Sequence, residues 1–414
     1  MVQTGSFRRV AMENSLNRPP QGAATILFWL VAFGLVSALP SVAFSQRNPA
    51  LAACEASVYR HPKLGDLPYR MFAPATLTPD ERYPLVLYLH PAGAKGTDNE
   101  RQLAPLGAWA AAAGAVESPC YLVAPQASMD LRVTSSDWKA RDYRTSAQPS
   151  DGEVILTELI SELMRRYPID PDRITVAGAG LGGTAAIELL LSRPGFYAGG
   201  LVIGANADAS RISELSHLPL RWYVSRRDES ALVKASEAAE KALSGEGSRF
   251  ERIVVAEPVA AAISQGLTAE NLNWLKGLNR RDNDWKVDLV KVTPALIGQL
   301  LVTEGEIRAI PQKEEDAEIE ESLRKGDLSL REFERRPQAK GYLINITAGG
   351  KRFDVWIPSA AMPIERFRPL KVKDRVRVKG YLQNTEKGLR LWVEKGDWWS
   401  VTKAAPEPPK KKDR

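Results

Sequence analysis

Between residues 66 and 280, short apolar runs alternate with segments whose apolar residues recur every three or four positions. "LPYRMFAP" (67–74), "YPLVLYLH" (83–90), "CYLVAPQ" (120–126), "RITVAG" (173–178), "GGLVIGAN" (199–206), "PLRWYVS" (219–225) and "FERIVVA" (250–256) read as strands. Helices are expected over 100–112, 151–167, 182–192, 229–243 and 268–277. Apolar strands alternating with helices predict an α/β fold built on a mostly parallel, doubly wound sheet covered on both faces. After about 284 the pattern changes. "DWKVDLVKV" and "EGEIRAI" read as extended, and 313–336 as a charged, solvated helix. "GYLINIT", "KRFDVWIP", "DRVRVKGYLQ" and "LRLWVEK" then alternate as short strands. Their spacing predicts a small antiparallel β-barrel-like domain.

The 414 residues are enough for two domains. The expected division is 1–45 as a targeting segment, 46–283 as the α/β domain, 284–402 as the β domain and 403–414 as a disordered basic tail. The net charge of +6 is uneven, because residues 338–414 carry +10 and the remainder −4. Residues 26–39 are apolar apart from Ser37, follow Arg8, Arg9 and Arg18, and precede Pro40, Ala43 and Ser45. That is the layout of a secretory signal peptide, and residues 23–45 are long enough for an uncleaved anchor. "LAAC" (51–54) resembles a lipobox, a third route to the envelope. All three place the body of the protein outside the cytoplasm. An even cysteine count in an exported chain makes Cys54 and Cys120 a disulfide candidate. The three histidines are scattered and no C-x-x-C is present, so neither a metal site nor a cofactor is expected.

The stretch "AGAGLGG" (177–183) satisfies G-x-G-x-x-G between a strand and a helix. A dinucleotide-binding turn belongs at the first strand–helix junction, with an acid about 20 residues on. Here at least three strands come first, and Asp208 lies 30 residues past Gly178. The alternative is the elbow G-x-S-x-G, with Gly178 and Gly182 at its glycine positions and Gly180 where the nucleophile belongs. The Leu181 N–H would then point into an oxyanion site at a helix N-terminus.

"LPYRMFAPATLTPDERYPLVLYLHPAGAKGTDNE", "YLVAPQ", "YPIDPDRITVAGAGLGG" and "LPLRWYVSRRDES" resemble, in order and spacing, the α/β-hydrolase branch that includes polyhydroxybutyrate depolymerase-like, feruloyl esterase-like and predicted peptidase proteins. The resemblance covers about half the chain. It implies an oxyanion loop after His90, a serine at 180, an acid at Asp228 and a histidine within 257–266. The chain departs from that pattern. Pro91 replaces the usual glycine, Gly180 replaces serine, and 257–266 contains no histidine. His61, His90 and His217 all precede Asp228, whereas the hydrolase order is Ser, acid, His. Glycine offers no nucleophile, and a serine without a base is not activated. The expectation is therefore a catalytically inactive hydrolase-like protein that binds or scaffolds at the envelope. The alternative is an active ester hydrolase or peptidase with a non-standard constellation. His90, Pro91, Gly93, Leu181 and Trp138 are the expected oxyanion and pocket residues, with Trp138 on the insertion 127–150. His90 is expected to hold the loop by hydrogen bonds.

In the second domain, Lys371, Lys373, Arg375, Arg377 and Lys379 alternate, which on one strand gives a single basic face. "KDRVRVKGYL…LRLWVE" resembles OB-fold barrels, which bind oligonucleotides or oligosaccharides. In an exported protein this face would suit acidic glycans or lipid headgroups, and nucleic acid is disfavoured. The elbow would take an unidentified small ligand or envelope component. Trp392, Trp398 and Trp399 read equally as core or as sugar platforms.

Overall fold

The alternation of apolar and polar positions becomes a two-faced sheet. The structure is a computed structural model that describes residues 54–113, 119–309, 340–358, 371–385 and 388–402, with the backbone of 312–315. The targeting segment, residues 316–336 of the charged helix and the basic tail lie outside the described residues. Among the described residues, no helix is long and apolar enough to cross a membrane.

Eight strands form the first sheet: β1 (Glu55–His61), β2 (Gly65–Phe72), β3 (Tyr83–Leu89), β4 (Tyr121–Pro125), β5 (Ile169–Ala179), β6 (Gly199–Ile203), β7 (Leu220–Ser225) and β8 (Phe250–Val255). Their order is β1-β2-β4-β3-β5-β6-β7-β8. The β1–β2 and β2–β4 pairs are antiparallel, and the pairs from β4 to β8 are parallel. The described helices are α1 (Gly107–Ala113), α2 (Asp151–Arg166), α3 (Leu181–Ser192), α4 (Ser230–Leu243), α5 (Val259–Gly266) and α6 (Ala269–Gly277).

The period-two alternation of β3 divides the core. Leu85, Leu87 and Leu89 pack with Leu159 of α2, Leu189 of α3 and Ala239 of α4. Val86 and Tyr88 pack on the other face with Trp109 of α1, Ala262 of α5 and Leu275 of α6. The sheet is therefore doubly wound, as expected. Ser150 caps α2 by accepting the Glu153 N–H at 3.1 Å, and Asp151 and Glu153 lie in the first turn. The edge strand β1 and the short α5 were not legible as elements.

Cys54 and Cys120 are not joined in a disulfide, which corrects that expectation. Cys54 directly precedes β1 and Cys120 precedes β4, with β2 between those strands. Two strand spacings, about 9–10 Å, exceed what a disulfide spans.

The second sheet contains β9 (Leu300–Ile307), β10 (Gln312–Glu315), β11 (Lys340–Ala348), β12 (Lys351–Pro358), β13 (Arg375–Thr385), β14 (Gly388–Trp392) and β15 (Trp399–Thr402). Five of them close a ring, β9-β11-β12-β14-β13-β9, in which only β12–β14 is parallel. Ile344, Val355, Val378, Leu382 and Leu391 fill its core. The expected helix over 313–336 does not begin at 313. Residues Gln312–Glu315 instead pair with Leu343–Lys340 of β11, where backbone hydrogen bonding outweighs helix propensity. Residues 284–292 are not a regular strand either, but a single Lys286–Val302 bridge followed by a 3-10 turn at Leu289–Lys291. Trp392, Trp398 and Trp399 are buried, so they are core residues and not exposed platforms.

The junction of β5 with α3 is the tightest crossing. A Cβ on Gly182 would lie 2.2 Å from the Leu89 carbonyl oxygen, and one on Gly178 would lie 2.3 Å from that of Gly182. Both obstacles are backbone and cannot swing away. Gly182→Ala is therefore expected to destabilise the fold by about 3 kcal/mol or more. Thermal unfolding of the purified variant checks this, and an unchanged midpoint would contradict the crossing.

Candidate functional site

The site is organised by Gly180. It follows β5 and precedes α3 with φ +55° and ψ −118°, a left-handed conformation that side-chain-bearing residues rarely adopt. Its N–H donates to the Ile203 carbonyl at 2.8 Å, and its carbonyl accepts the Thr184 N–H at 3.0 Å and the Thr184 hydroxyl at 3.2 Å. The strained strand–turn–helix of a nucleophile elbow is thus retained without a side chain. Leu181 is the first residue of α3, so its N–H has no carbonyl in the preceding turn of the helix and lies at the positive end of the dipole.

His90 follows β3 and holds the adjoining loop. Its Nε2 accepts the Ala127 N–H at 3.0 Å, so the proton is on Nδ1, which donates to the Pro91 carbonyl at 2.8 Å. Burial lowers its pKa, the Pro91 bond partly offsets this, and the Lys95 charge lowers it further. His90 is a neutral structural histidine with both nitrogens engaged. Pro91 offers no N–H to an oxyanion. Gly93 is exposed, with nothing within 4 Å of the place where a Cβ would lie. Of the expected oxyanion residues, the structure thus brings His90, Pro91 and Leu181 to the elbow, while Gly93 faces outward. Behind them, Leu67, Leu131, Val133 and Leu156 help line an apolar cavity of about 20 Å³, room for roughly one water-sized sphere.

Trp138 lies over the elbow. Its Cη2 and Cζ3 atoms stand 3.4 and 3.5 Å from the position of a Cβ on Gly180, with Pro91 Cβ at 3.8 Å. Three buried polar side chains fix the backbone of this 127–150 loop. Asn206 donates to the carbonyls of Trp138 (3.0 Å) and Ala140 (2.9 Å). Glu188 accepts the Ser135 N–H at 3.0 Å and the Tyr143 hydroxyl at 2.5 Å. Asp208 accepts from Arg144 Nη1 and the Thr145 N–H, both at 3.0 Å. Lys139 lies over the Trp138 ring at 5.1 Å and pairs with Glu229. Asn206 and Glu188 were missed from sequence. Their one signal was a polar residue within or directly after an apolar run.

Asp228 lies in the turn after β7. Its Oδ2 accepts the Ser225 N–H at 2.8 Å and lies 3.4 Å from the position of a Cβ on Gly204, so it turns toward the strand ends and not toward Arg226 or Arg227. Burial raises its pKa; the Ser225 bond opposes this and the Glu229 charge adds to it. The position expected for a histidine, after β8, is filled by Glu257, Pro258 and α5, and the Ser225 hydroxyl donates to the Glu257 carbonyl at 2.5 Å. Thr184 is the hydroxyl nearest the elbow in sequence, and it is engaged by the Gly180 carbonyl and the Asn206 N–H. Among the described residues, no group of three His, Cys, Asp or Glu side chains could hold a metal ion.

A thermostable esterase of known structure is similar to this chain at 25% identity with a TM-score of 0.50, over 56% of this chain and 64% of the esterase. The chain has the α/β-hydrolase fold. It matches less than two thirds of that esterase's length. An S-formylglutathione hydrolase from Agrobacterium tumefaciens has 14% identity, a TM-score of 0.41 and coverage of 54% of this chain and 94% of its own. A ferulic acid esterase has 13% identity, a TM-score of 0.43 and coverage of 54% and 97%. No family model and no curated protein matches the chain.

The basic stripe of the β domain is not the open face its spacing predicts. Lys371 and Lys373 precede β13, and Lys373 turns with φ +75°, so only Arg375, Arg377 and Lys379 share the strand face. Lys379 is buried and donates to the Arg281 carbonyl at 2.7 Å and Asp284 Oδ1 at 2.8 Å, while Arg377 pairs with Asp284 at 2.7 Å. Arg375 and Arg308 line a surface pocket of about 340 Å³ together with Glu304 and Glu306. That balance of charge does not select anions.

Asp208 provides a test of the loop anchor. Burial alone would raise its pKa, but the Ser210 hydroxyl, the N–H groups of Thr145 and Ser210, and Arg144 outweigh that and hold it at about 2. In an unfolded chain it returns to about 3.9. The folded value is depressed, so the anchor's contribution is full above about pH 5 and is lost as pH falls toward 2. Asp208→Asn is expected to lower unfolding stability in urea by about 1–2 kcal/mol at pH 7. The gap from the parent protein should narrow between pH 5 and pH 3. A gap that is constant with pH would contradict this role.

Proposed function

We propose that this protein is an exported, non-catalytic α/β-hydrolase-like protein that acts in binding or scaffolding at the cell envelope. The observation that carries the reading is the state of the elbow. Position 180 is a glycine in the strained nucleophile conformation, and the Trp138 ring lies against the space where a catalytic side chain would stand. Two sequence facts support it: no histidine follows position 217, and residues 26–39 form an apolar run behind arginines. The elbow still offers the Leu181 N–H to a carbonyl or carboxylate, which suits binding. Oxyanion donors alone give only residual catalysis.

Asp228 does not rescue an acid–base role. It is bonded to Ser225, with no histidine in the chain after it to orient. An active ester hydrolase or peptidase would need a hydroxyl and a base within reach of the Leu181 N–H. Asp208 does contact the Thr145 hydroxyl at 3.2 Å, but a carboxylate held at about 2 is a poor proton acceptor near neutrality.

The dinucleotide reading fares worse. The glycine run ends the central strand β5 of the sheet, and the one candidate acid, Asp208, anchors the 127–150 loop.

The mature protein is expected to show no turnover of short-chain aryl esters or feruloyl esters in a spectrophotometric assay. Gly180→Ser is expected to remain inactive and to lose about 1–2 kcal/mol from the left-handed φ. Combining it with Trp138→Ala makes room for substrate but still provides no base, so the double variant should be inactive too. Parent turnover that Asp228→Ala abolishes would overturn the proposal.

A further inference from the structure

We propose that the β-barrel is not a tethered ligand-binding module but a fixed half of the hydrolase-like body, and that the partner of its basic strand face is the connector, residues 281–284, that leads out of this chain's own α/β domain. The inference stands apart from the elbow reading, because it rests on the opposite end of β5. Asp172 lies there, eight residues before Gly180, about 25 Å along an extended strand.

Asp172 is a carboxylate exposed by only 4%, and groups from the connector and the barrel converge on it. Arg280 Nε donates to Oδ1 at 2.9 Å, and Arg281 Nε to Oδ2 at 2.5 Å. The Tyr381 hydroxyl of β13 donates to Oδ1 at 2.7 Å. Arg281 continues to Glu394, just past β14, at 3.0 Å. Arg280, itself 1% exposed, also donates to the Gly298 carbonyl at 3.2 Å and stacks over Tyr381 at 4.9 Å. Two hydrogen bonds to the backbone of Gly195 extend the joint. The Leu300 N–H donates to the Gly195 carbonyl at 2.9 Å, and the Gly195 N–H to Gln299 Oε1 at 3.0 Å.

Two consequences follow from the chemistry. A buried carboxylate facing two guanidiniums is stable only while every member is present, because removing one leaves an uncompensated buried charge. Neither half can therefore release the other without exposing or stranding charge. The outward face of β13 is also occupied: Arg377 and Lys379 meet Asp284, and Tyr381 meets Asp172. The described residues of both sheets fall in one compact unit. The two sheets should therefore unfold as one.

The test uses the full exported chain. Calorimetry should show a single transition whose van't Hoff and calorimetric enthalpies agree. Hydrogen exchange along a urea series should show β5 and β13 peptides losing protection at the same concentration. Tyr381→Phe keeps the ring and removes one hydrogen bond. It should lower both midpoints together, by about 1–3 °C on heating. Asp172→Asn, which removes the carboxylate charge that both guanidiniums share, should part the two events. Two transitions in the parent, or a Tyr381→Phe shift confined to β13, would overturn the proposal. So would heparin binding that Lys379→Met abolishes while the unfolding midpoint stays unchanged, since that would make the strand a free polyanion face.

Discussion

The backbone crossing of β5 and α3 over the Leu89 carbonyl is the constraint on which the rest depends. With only 2.2–2.3 Å between the Cβ positions of Gly178 and Gly182 and the nearest carbonyl oxygens, helix and strand meet without side chains between them. That contact forces the left-handed turn at Gly180 and aims the start of α3 at the loop after β3. The conformation exists in hydrolases to hold a nucleophile out of the sheet. Here the same conformation is kept, and a glycine fills it at no steric cost.

Around that turn, the side chains are engaged in bonds that hold the loops. His90 uses both nitrogens to fasten a loop, Pro91 removes an N–H, and Asp228 bonds back to its own strand end. The 127–150 insertion presents Trp138 over the elbow, and Asn206, Glu188 and Asp208 fix its backbone from below. Buried polar groups of this kind are expensive to leave unpaired, which makes the cover part of the fold. At the other end of β5, Asp172 does the same for the barrel. One strand thus joins the elbow to the interdomain joint.

The doubly wound sheet was legible because its signal is local: apolar runs of strand length alternating with helical periodicity. The departures from the hydrolase pattern, glycine at 180 and three histidines that all precede Asp228, are facts of the sequence itself. What escaped was relational. Alternation showed that Arg375, Arg377 and Lys379 share a face, but not that the connector's Asp284 would cover it. An even number of cysteines said nothing of the β2 strand lying between Cys54 and Cys120. The 313–336 stretch has helical composition, yet pairing with β11 recruits its first residues as strand. Trp138 stood out only as one residue of a polar insertion. Its position over Gly180 depends on Asn206, 68 residues away.

The central claim is that no activated nucleophile remains at the elbow. Reaction of the purified protein with a fluorophosphonate, read by intact-mass and peptide mass spectrometry, tests it most directly. The account predicts no covalent adduct on any hydroxyl under conditions that saturate an active serine esterase. Stoichiometric modification of a serine or threonine in the 127–150 loop, or in α3 beside Leu181, would contradict it.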